Sequence, residues 1–478
     1  MEYEIVIGLE IHSELRTKSK MFCGCRNEFG SDPNTQTCPV CLGMPGTLPV
    51  INKTALEYAV KAGTAMNCKI SSFSKMDRKN YFYPDLPKAY QISQYDLPIC
   101  YDGYVDIEVN GVTKRIGIER IHMEEDAGKL IHDPYAQGSM VDYNRCGVPL
   151  IEIVSRPDMR SPEEAKVFLE TVKSILEYTE VSDCRMQEGS LRADVNLSVR
   201  PMGQEKLGTR TEMKNINSLR AVKRAAEAEA KRQIELLSRG CEVIQETRRW
   251  DDNRGESYSM RSKEEAMDYR YFPEPDLVPI VVEPEWLEAV RKSVPELPAK
   301  RKERYINVLG IPPYDANLIT MSKALADLFE GASNICGNPK AVSNWIMTDT
   351  LRRMNDEGEQ ILQKGLNSQN LGKILLYVEK GEITLNSAKK VVDHIIETGG
   401  DPDEIIDKLG LRVQRDEGLV SEAVTAALKD NPQAVSDYTA GKEKAFGFLM
   451  GKVMAILKGK GDPAQVREIL KNKLDAGA

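Results

Sequence analysis

Over residues 3–14, apolar side chains recur at every second position of the chain. Every odd position from Ile5 to Ile11 is apolar, while Glu10 and His12 occupy even positions. Because successive side chains of a β-strand point to opposite faces of a sheet, this pattern predicts a strand with one buried face and one polar face. Glu10 and His12 are therefore predicted to be neighbours on the polar face.

A β-hairpin is predicted over residues 104–125. Its turn is Asn110-Gly111, the residue pair preferred in two-residue type I′ turns. The second strand runs into His122-Met-Glu-Glu-Asp126, so two adjacent carboxylates, Glu124 and Glu125, lie at its end.

Two further strands with a polar face are predicted ahead of a long helix. Residues 190–200 alternate and place Asp194 on the polar side, and residues 209–215 do the same with Glu212. An Asn or Ser at residues 217–218 can cap the helix that follows.

The spacing of apolar residues changes from that of strands to that of helices after a proline-rich stretch at residues 273–298. Beyond it, Leu318, Met321 and Leu325 recur at spacings of three and four, which indicates helices that pack in a bundle. We predict an α+β protein with a mainly antiparallel sheet in the first domain and two all-α domains after it. The predicted boundaries are 1–295, 296–407 and 408–478.

Length and charge narrow the class of protein. A chain of 478 residues exceeds the roughly 250–300 residues of one hydrophobic core, so two or three domains are expected. No apolar run approaches the roughly 20 residues that span a bilayer, and the N-terminus lacks a secretory pattern, so we expect a cytoplasmic protein without a membrane span. A net charge of -8 argues against nonspecific coating of nucleic acid.

The last domain differs in charge from the rest of the chain. Residues 408–478 contain twelve Lys and Arg against nine Asp and Glu. This small positive excess is compatible with an RNA-binding surface, although a solvated helical surface is the commoner meaning of such a balance.

Four of the ten cysteines are crowded into nineteen residues. Two close pairs, Cys23-Gly-Cys25 and Cys38-Pro-Val-Cys41, can supply the four thiolates of a tetrahedral zinc ion. Four cysteine ligands close the coordination sphere, so such an ion would be structural and could not activate water. Free or redox-active thiols are the alternative interpretation.

The polar residues on the predicted strands are the other candidate site. Carboxylates gathered with an imidazole can hold Mg²⁺ for phosphoryl transfer, because this ion prefers oxygen ligands and bridges phosphate oxygens. Exposed acidic residues usually face only solvent, and the sequence does not show that these strands meet. The candidates are Glu10, His12, Glu124, Glu125, Asp194 and Glu212.

Several common catalytic motifs are missing from the sequence. It contains no GxxxxGK[ST] loop, no GxSxG elbow and no HExxH motif, which argues against a P-loop ATPase, a serine hydrolase of that type and a zincin. Two tyrosine-rich stretches, residues 78–90 and 268–276, combine aromatic rings with Arg and Lys. Such stretches can stack bases and hold phosphates, or they can be packed loops.

Several long motifs resemble the B subunits of aspartyl/glutamyl-tRNA amidotransferases. The resemblance spans essentially the whole chain and is densest before residue 277. The motifs are Val6-Ile-Gly-Leu-Glu-Ile-His12, Asn80-Tyr-Phe-Tyr-Pro-Asp85, Pro87-Lys-Ala-Tyr-Gln-Ile-Ser-Gln94, His122-Met-Glu-Glu-Asp-Ala-Gly-Lys129, Pro149-Leu-Ile-Glu-Ile-Val154, Glu188-Gly-Ser-Leu-Arg192, Asp268-Tyr-Arg-Tyr-Phe-Pro-Glu-Pro-Asp276, Ser343-Asn-Trp-Ile346 and Gly447-Phe-Leu-Met-Gly-Lys-Val-Met454.

The resemblance implies a fold and a reaction. It implies an N-terminal cradle domain, a helical domain and a small helical tail. It also implies ATP-dependent phosphorylation of the side-chain carboxylate of glutamate mischarged on glutamine tRNA, or of aspartate mischarged on asparagine tRNA. Ammonia that a partner amidase A subunit releases from glutamine then displaces phosphate, and a small C subunit completes the heterotrimer.

The resemblance also implies roles for individual residues. It makes Glu10, His12 and Glu125 ligands of Mg²⁺, with Glu124 beside them. Asp194 and Glu212 resemble positions that can hold a second divalent ion, and the four cysteines resemble a structural zinc site that some family members lack. The tail domain is implied to contact tRNA.

A noncatalytic scaffold that presents mischarged tRNA to another enzyme is the competing interpretation. A scaffold would keep the tyrosine-rich stretches and the tail, but it would not need Glu10, His12 and Glu125 together. A zinc hydrolase is disfavoured, since four cysteine ligands leave no open position on the ion.

Overall fold

The chain divides into two compact units, Met1–Pro298 and Ala299–Ala478. The computed structural model describes residues 2–132, 138–262, 268–357, 359–362, 365–413, 417–440, 442–457 and 461–476.

In its described residues, the first unit contains strands and four α-helices. Its strands are β1 (Tyr3–Glu14), β2 (Lys69–Ile70), β3 (Phe73–Ser74), β4 (Asp77–Asn80), β5 (Tyr90–Ser93), β6 (Cys100–Val109), β7 (Val112–Glu125), β8 (Lys129–His132), β9 (Ser139–Asp142), β10 (Pro149–Ser155), β11 (Leu191–Pro201), β12 (Thr211–Ile216), β13 (Glu246–Asp251), β14 (Glu256–Ser262), β15 (Phe272–Pro273) and β16 (Ile280–Val281). Its helices are α1 (Lys53–Ala65), α2 (Pro162–Tyr178), α3 (Leu219–Ser238) and α4 (Pro284–Lys292).

Nine strands form one large sheet in the order β14-β13-β12-β11-β1-β10-β7-β6-β2. Neighbouring strands are antiparallel except for β12 and β13, which run parallel. The strands β15, β4 and β5 form a separate three-stranded sheet.

The large sheet has one apolar face and one polar face. Helices α1, α2 and α3 pack on the apolar face, where Ile7, Leu9 and Ile11 of β1 belong to the hydrophobic core of the first unit. The even positions of β1 point to the other face and carry Glu10 and His12. Burial of the apolar face is what positions the polar side chains opposite it.

The strand and helix predictions for the first unit are confirmed. The alternating segment is β1, and β6 and β7 form the predicted hairpin with Asn110 and Gly111 at φ values of 53° and 77°, as a type I′ turn requires. Ser218 is the residue that caps α3, because its hydroxyl accepts a hydrogen bond from the Ala221 N–H.

The second unit is helical in its described residues. Its helices are α5 (Pro298–Asn307), α6 (Pro313–Thr320), α7 (Lys323–Cys336), α8 (Pro339–Trp345), α9 (Leu351–Glu357), α10 (Ser368–Glu379), α11 (Leu385–Thr398), α12 (Pro402–Lys408), α13 (Glu417–Asp430), α14 (Pro432–Thr439), α15 (Glu443–Ile456) and α16 (Pro463–Ala476). A π-helical turn, Ile346–Thr350, joins α8 to α9.

The apolar repeat after residue 312 belongs to two helices. Met321 is 50% exposed because α6 ends at Thr320, and the Ser322 hydroxyl caps α7 by accepting from the Leu325 N–H. Leu325 itself is buried. The N-cap residue Ser322 therefore divides the apolar spacing between two helices, where the spacing alone suggested one continuous helix face.

The described residues of the helical unit form two separate hydrophobic clusters. One runs from Tyr305 to Leu411, and the other runs from Val420 to Leu474. The predicted α+β class is confirmed by the mainly antiparallel sheet of the first unit and the helices of the second. The division into three domains stays a prediction. Among the described helices, none is both long and apolar enough to cross a membrane.

Candidate functional site

Four polar side chains from three adjacent strands meet on the polar face of the large sheet. His12 on β1 lies opposite Glu152 on β10, and Glu152 lies opposite His122 on β7. Glu124 is two residues beyond His122, so it points to the same face. Strand register thus gathers two imidazoles and two carboxylates.

Distances within this first cluster are short enough for a shared cation. Glu152 Oε2 lies 3.3 Å from His12 Nε2 and 3.4 Å from His122 Nε2. Glu124 reaches the same two rings, at 3.7 Å from His12 Nε2 and 3.8 Å from His122 Nε2. One ligand atom from each of His12, Glu124 and Glu152 lies within 4.8 Å of the others.

The charged groups of the first cluster shift one another's pKa values toward the charged forms. Burial alone would lower the pKa of His122, but Glu152 and Glu124 outweigh it and raise the pKa to about 9. Burial alone would raise the pKa of Glu152, but the two imidazoles hold it well below its usual range. His122 Nδ1 is buried and has no hydrogen-bond partner among the described residues. The imidazoles therefore supply positive charge that balances the carboxylates of this cluster.

A second cluster of carboxylates lies next to the first. Glu10 on β1 is opposite Asp194 on β11, and Glu212 on β12 is opposite Asn196 of the same face. Ligand atoms of Glu10, Asp194 and Glu212 lie within 4.8 Å of one another. Burial, then the charges of Glu152 and Glu212, raise the pKa of Glu10, so the two clusters share one electrostatic field.

Each carboxylate of the second cluster already has a hydrogen-bond donor. Asn196 Nδ2 donates to Glu10 Oε1 at 2.9 Å, and Thr247 Oγ1 donates to Glu212 Oε2 at 2.9 Å. Lys214 Nζ donates to Asp194 Oδ2 at 2.6 Å and lies 2.8 Å from Glu212 Oε1. The Asn196 carbonyl oxygen Oδ1 is buried and without a partner among the described residues.

The carboxylates of both clusters fit Mg²⁺, and His12 adds an imidazole nitrogen to the first. Carboxylate oxygens are the ligands that this ion prefers, and the unpaired Asn196 Oδ1 adds a neutral oxygen beside the second cluster. Two adjacent cation sites are the arrangement that many phosphoryl-transfer enzymes use.

Glu125 lies apart from the first cluster, although it was predicted to join Glu10 and His12. Adjacent residues of a strand point to opposite faces, so Glu125 leaves the face that Glu124 occupies. Its carboxylate pairs with Lys88 and accepts the Ile92 N–H at 3.0 Å. Its role as a magnesium ligand stays a prediction that this placement does not support.

Sequence reasoning missed Glu152 and His122 as site residues. The signal for Glu152 was a single carboxylate within the otherwise apolar run Pro149–Val154, which forms β10. A charged residue in a buried central strand is costly unless it is paired or binds a cation, so this position pointed to a site. The signal for His122 was its place in the strand that carries Glu124.

The Lys88–Glu125 pair is buried, with side chains that are only 7% and 3% exposed. We expect Lys88→Met to lower the free energy of unfolding by about 3–5 kcal/mol, because it leaves a buried carboxylate without a counter-charge. Hydrogen exchange at the amides of β7 measures this loss. The double variant Lys88→Met/Glu125→Gln is the matched control and should recover most of it. Equal losses in the single and double variants would contradict the explanation.

The four clustered cysteines converge in space. Their Sγ atoms lie within 4.8 Å of one another and form no disulfide. The Cys38 N–H donates to Cys41 Sγ at 3.2 Å, and Lys20 Nζ lies 3.9 Å from the same sulfur. A hydrogen bond from Cys23 and the charge of Lys20 lower the pKa of Cys41 to about 5. This arrangement fits a tetrahedral zinc ion.

The two tyrosine-rich stretches come together beside the first cluster. Tyr81 of the first stretch meets Tyr269 of the second edge to face, with ring centroids 5.7 Å apart, and Tyr95, just beyond the first stretch, stacks on Tyr271 at 4.3 Å. Lys79 Nζ lies 5.0 Å from the Tyr269 ring centroid. Burial alone would lower the pKa of Lys79, but the charges of the first cluster outweigh it and raise the pKa. A group bound at the first cluster would therefore lie near aromatic rings and a cation.

Comparison with known proteins assigns a family to the chain. A family model described as the GatB/GatE catalytic domain matches residues 5–288, and one described as the GatB domain matches residues 327–474. The chain belongs to the B-subunit family of aspartyl/glutamyl-tRNA(Asn/Gln) amidotransferases.

Individual members of this B-subunit family match over nearly their whole length. The B subunit of the aspartyl/glutamyl-tRNA(Asn/Gln) amidotransferase of Caldicellulosiruptor bescii is 60% identical over 478 residues, which covers 99% of this chain and 100% of the relative. That of Thermoanaerobacter sp. (strain X514) is 57% identical over 474 residues, which covers 99% of this chain and 100% of the relative. The match to the catalytic domain contains both acidic clusters and the four cysteines.

Proposed function

We propose that the chain uses ATP to activate the side-chain carboxylate of an aminoacyl-tRNA for conversion to an amide. The carboxylate oxygen attacks the γ-phosphorus of ATP, which gives an acyl phosphate and ADP. Ammonia then attacks the acyl carbon, phosphate leaves, and the amide is formed. A carboxylate is a poor acyl donor, and phosphorylation supplies the leaving group that it lacks.

The two adjacent acidic clusters on one face of the sheet carry this proposal. Phosphoryl transfer depends on positioning and on neutralising the charge of the phosphate oxygens, and divalent cations do both. His12, Glu124 and Glu152 would hold one Mg²⁺, and Glu10, Asp194 and Glu212 would hold a second. When bound, these ions neutralise charge that develops on the transferred group.

Other residues of the chain would bind and orient the substrate. Lys79 can meet a phosphate oxygen, because the carboxylates of the first cluster keep its ammonium charged. Tyr81 and Tyr269 beside it offer aromatic faces on which a base can stack. The mischarged end of the tRNA would enter along this side of the clusters.

The substrate class and the partners come from the relatives. They are named as B subunits of aspartyl/glutamyl-tRNA(Asn/Gln) amidotransferases, so we propose Glu-tRNA(Gln), Asp-tRNA(Asn) or both as substrates. The ammonia would come from glutamine hydrolysis by an amidase A subunit, held with a small C subunit in the same complex. The absence of a GxSxG motif from this sequence agrees with a separate glutaminase.

Phosphate release tests the proposed reaction. The purified complex with its A and C partners is given ATP and, in turn, Glu-tRNA(Gln), Asp-tRNA(Asn) or the uncharged tRNAs. Release that requires a mischarged tRNA is the expected result, and it names the substrate. Tight binding of mischarged tRNA without any phosphate release would favour a noncatalytic scaffold.

We also propose a structural zinc ion at Cys23, Cys25, Cys38 and Cys41. The four sulfurs converge without a disulfide, and Lys20 Nζ lies 3.9 Å from Cys41 Sγ, where its charge favours a thiolate. Four thiolates leave no open position, so the ion would hold the segment in place and take no part in phosphoryl transfer.

Removal of the tail is predicted to weaken tRNA binding by about tenfold or more, since basic residues that contact phosphates dominate RNA affinity. The cut belongs after Val413, because Leu411 packs in the first helical cluster and the Val413 N–H donates to the Glu382 carbonyl at 2.7 Å. Filter binding at several salt concentrations measures the change. Glutamine hydrolysis by the A partner is the control and should persist. Unchanged tRNA affinity would reject the assignment of the tail.

A further inference from the structure

Lys214 is placed where a cation of the second cluster would bind. It follows Glu212 by two residues on β12, so both side chains point to the same face of the sheet. Its ammonium lies 2.6 Å from Asp194 Oδ2 and 2.8 Å from Glu212 Oε1. One oxygen of each carboxylate is thus bound by the chain's own cation.

The remaining donors of this cluster come from neutral groups. Asn196 binds Glu10, and Thr247 binds the second oxygen of Glu212. Burial alone would raise the pKa of Glu212, but Lys214 outweighs it through its direct contact, and Thr247 and Arg210 lower this pKa by smaller amounts. A divalent ion would compete with the Lys214 ammonium for the same two oxygens.

The first cluster has no lysine that would compete with a divalent ion in this way among the described ion pairs. Its carboxylates face the rings of His12 and His122, and no lysine in the described part of the chain forms an ion pair with Glu124 or Glu152. A neutral imidazole is itself a metal ligand, whereas an ammonium group is not. A divalent ion can therefore bind at the first cluster as these rings lose their protons, without moving a lysine side chain.

We propose that Lys214 occupies the second cation position in the nucleotide-free chain and delays binding of the second divalent ion until a nucleotide arrives. This inference rests on the proposed function. The Lys214 side chain is 36% exposed, so its flexible stem can leave the carboxylates on the solvent side. A phosphate oxygen of the nucleotide is the acceptor to which the ammonium would move.

The exchange links two binding events. A phosphate group that forms an ion pair with Lys214 would free Asp194 and Glu212, and these two carboxylates could then hold the ion. Because such coupling is reciprocal, nucleotide must tighten binding of the second ion by the same factor by which the ion tightens binding of nucleotide. Lys214 would thus limit the two-ion state to the nucleotide-bound enzyme.

Binding of Mn²⁺ to the full chain tests the inference, with free Mn²⁺ followed by electron paramagnetic resonance in the absence of nucleotide. The wild-type chain should bind one ion well and a second weakly. Lys214→Met should tighten the second site by about tenfold or more, because it removes a positive charge that competes for two ligands. Lys214→Arg keeps the charge and is the matched control. Its second site should bind Mn²⁺ as weakly as that of the wild type.

A nonhydrolysable ATP analogue adds the second arm of the experiment. It should tighten the second Mn²⁺ site strongly in the wild type and much less in Lys214→Met. Asp194→Asn in the Lys214→Met background should remove the gained affinity, which places the ion at this cluster. Equal binding of the second ion by wild type and Lys214→Met, or weaker binding by the variant, would overturn the inference.

The same titrations separate this inference from the proposed function. Glu152→Gln should weaken the first Mn²⁺ site and leave the effect of Lys214→Met on the second site intact. If the wild type binds no Mn²⁺ at all and neither variant changes that, the proposed metal-dependent function fails and the inference fails with it. If both sites are present but insensitive to Lys214, only the inference fails.

Discussion

Phosphate release from ATP is expected to fall by about a hundredfold or more in Glu152→Gln, the range seen when a group that organises charge in a transition state is removed. Glu152 lies between His12 and His122, at 3.3 and 3.4 Å from their Nε2 atoms. The substitution removes a charged ligand and also the main partner of both rings. The measurement uses the complex with its partners and a mischarged tRNA.

A matched control comes from the same sheet. Glu119 is on β7, is 56% exposed and lies outside both clusters, so Glu119→Gln should leave phosphate release unchanged. Binding of mischarged tRNA should persist in Glu152→Gln, since the tail and the tyrosine-rich stretches are untouched. Full phosphate release by Glu152→Gln would remove the first cluster from the proposed mechanism.

Glu125→Gln tests whether Glu125 is a ligand of the first metal site. The sequence-based prediction makes Glu125 a magnesium ligand, whereas the structure pairs it with Lys88 on the far side of the strand. If the placement reflects its role, the Mn²⁺ affinity of the first site should be the same in Glu125→Gln and wild type. A loss as large as that of Glu152→Gln would restore the original prediction.

Cys41→Ser is the second substitution with a large expected effect. The chain should lose nearly all of its bound zinc, because three thiolates and a hydroxyl form a much weaker site than four thiolates. Binding of a structural zinc ion contributes directly to folding, so the unfolding temperature of the first unit should fall by about 5 °C or more. Metal analysis of the purified chain and a thermal melt are the two measurements.

Cys241→Ser is the control for this experiment. Cys241 is exposed and lies outside the cysteine cluster, so neither zinc content nor the melting temperature should change. A wild-type chain without zinc would refute the metal site itself. A Cys41→Ser chain that retains a full equivalent of zinc would show that the ion binds elsewhere.

The two clusters explain why so many charged groups are tolerated on one sheet face. Buried carboxylates are costly unless cations balance them, and here imidazoles balance the first cluster and Lys214 balances the second. The face is therefore stable without metal and ready to exchange its own cations for others.

Local pattern was sufficient for several parts of this protein. The alternation of β1, the Asn110-Gly111 turn and the capped helix α3 depend on neighbours in sequence, and each is confirmed. The four cysteines also needed no tertiary knowledge, because their spacing already limits where their sulfurs can lie. Glu10 and His12 were placed on one face by the strand period alone.

Only the tertiary structure decided which side chains meet. Strand order and register bring Glu152, which is 140 residues beyond His12, directly opposite it, and no local period encodes that pairing. The pairing of β11 with β12 likewise brings the Lys214 ammonium to 2.6 Å from Asp194 Oδ2, and the separation of Glu124 from Glu125 needs only the alternation of one strand. The sequence by itself determined the elements and their faces, because those depend on the local backbone. The composition of the site was decided by long-range pairing, because a cation is held by charges that the fold brings together.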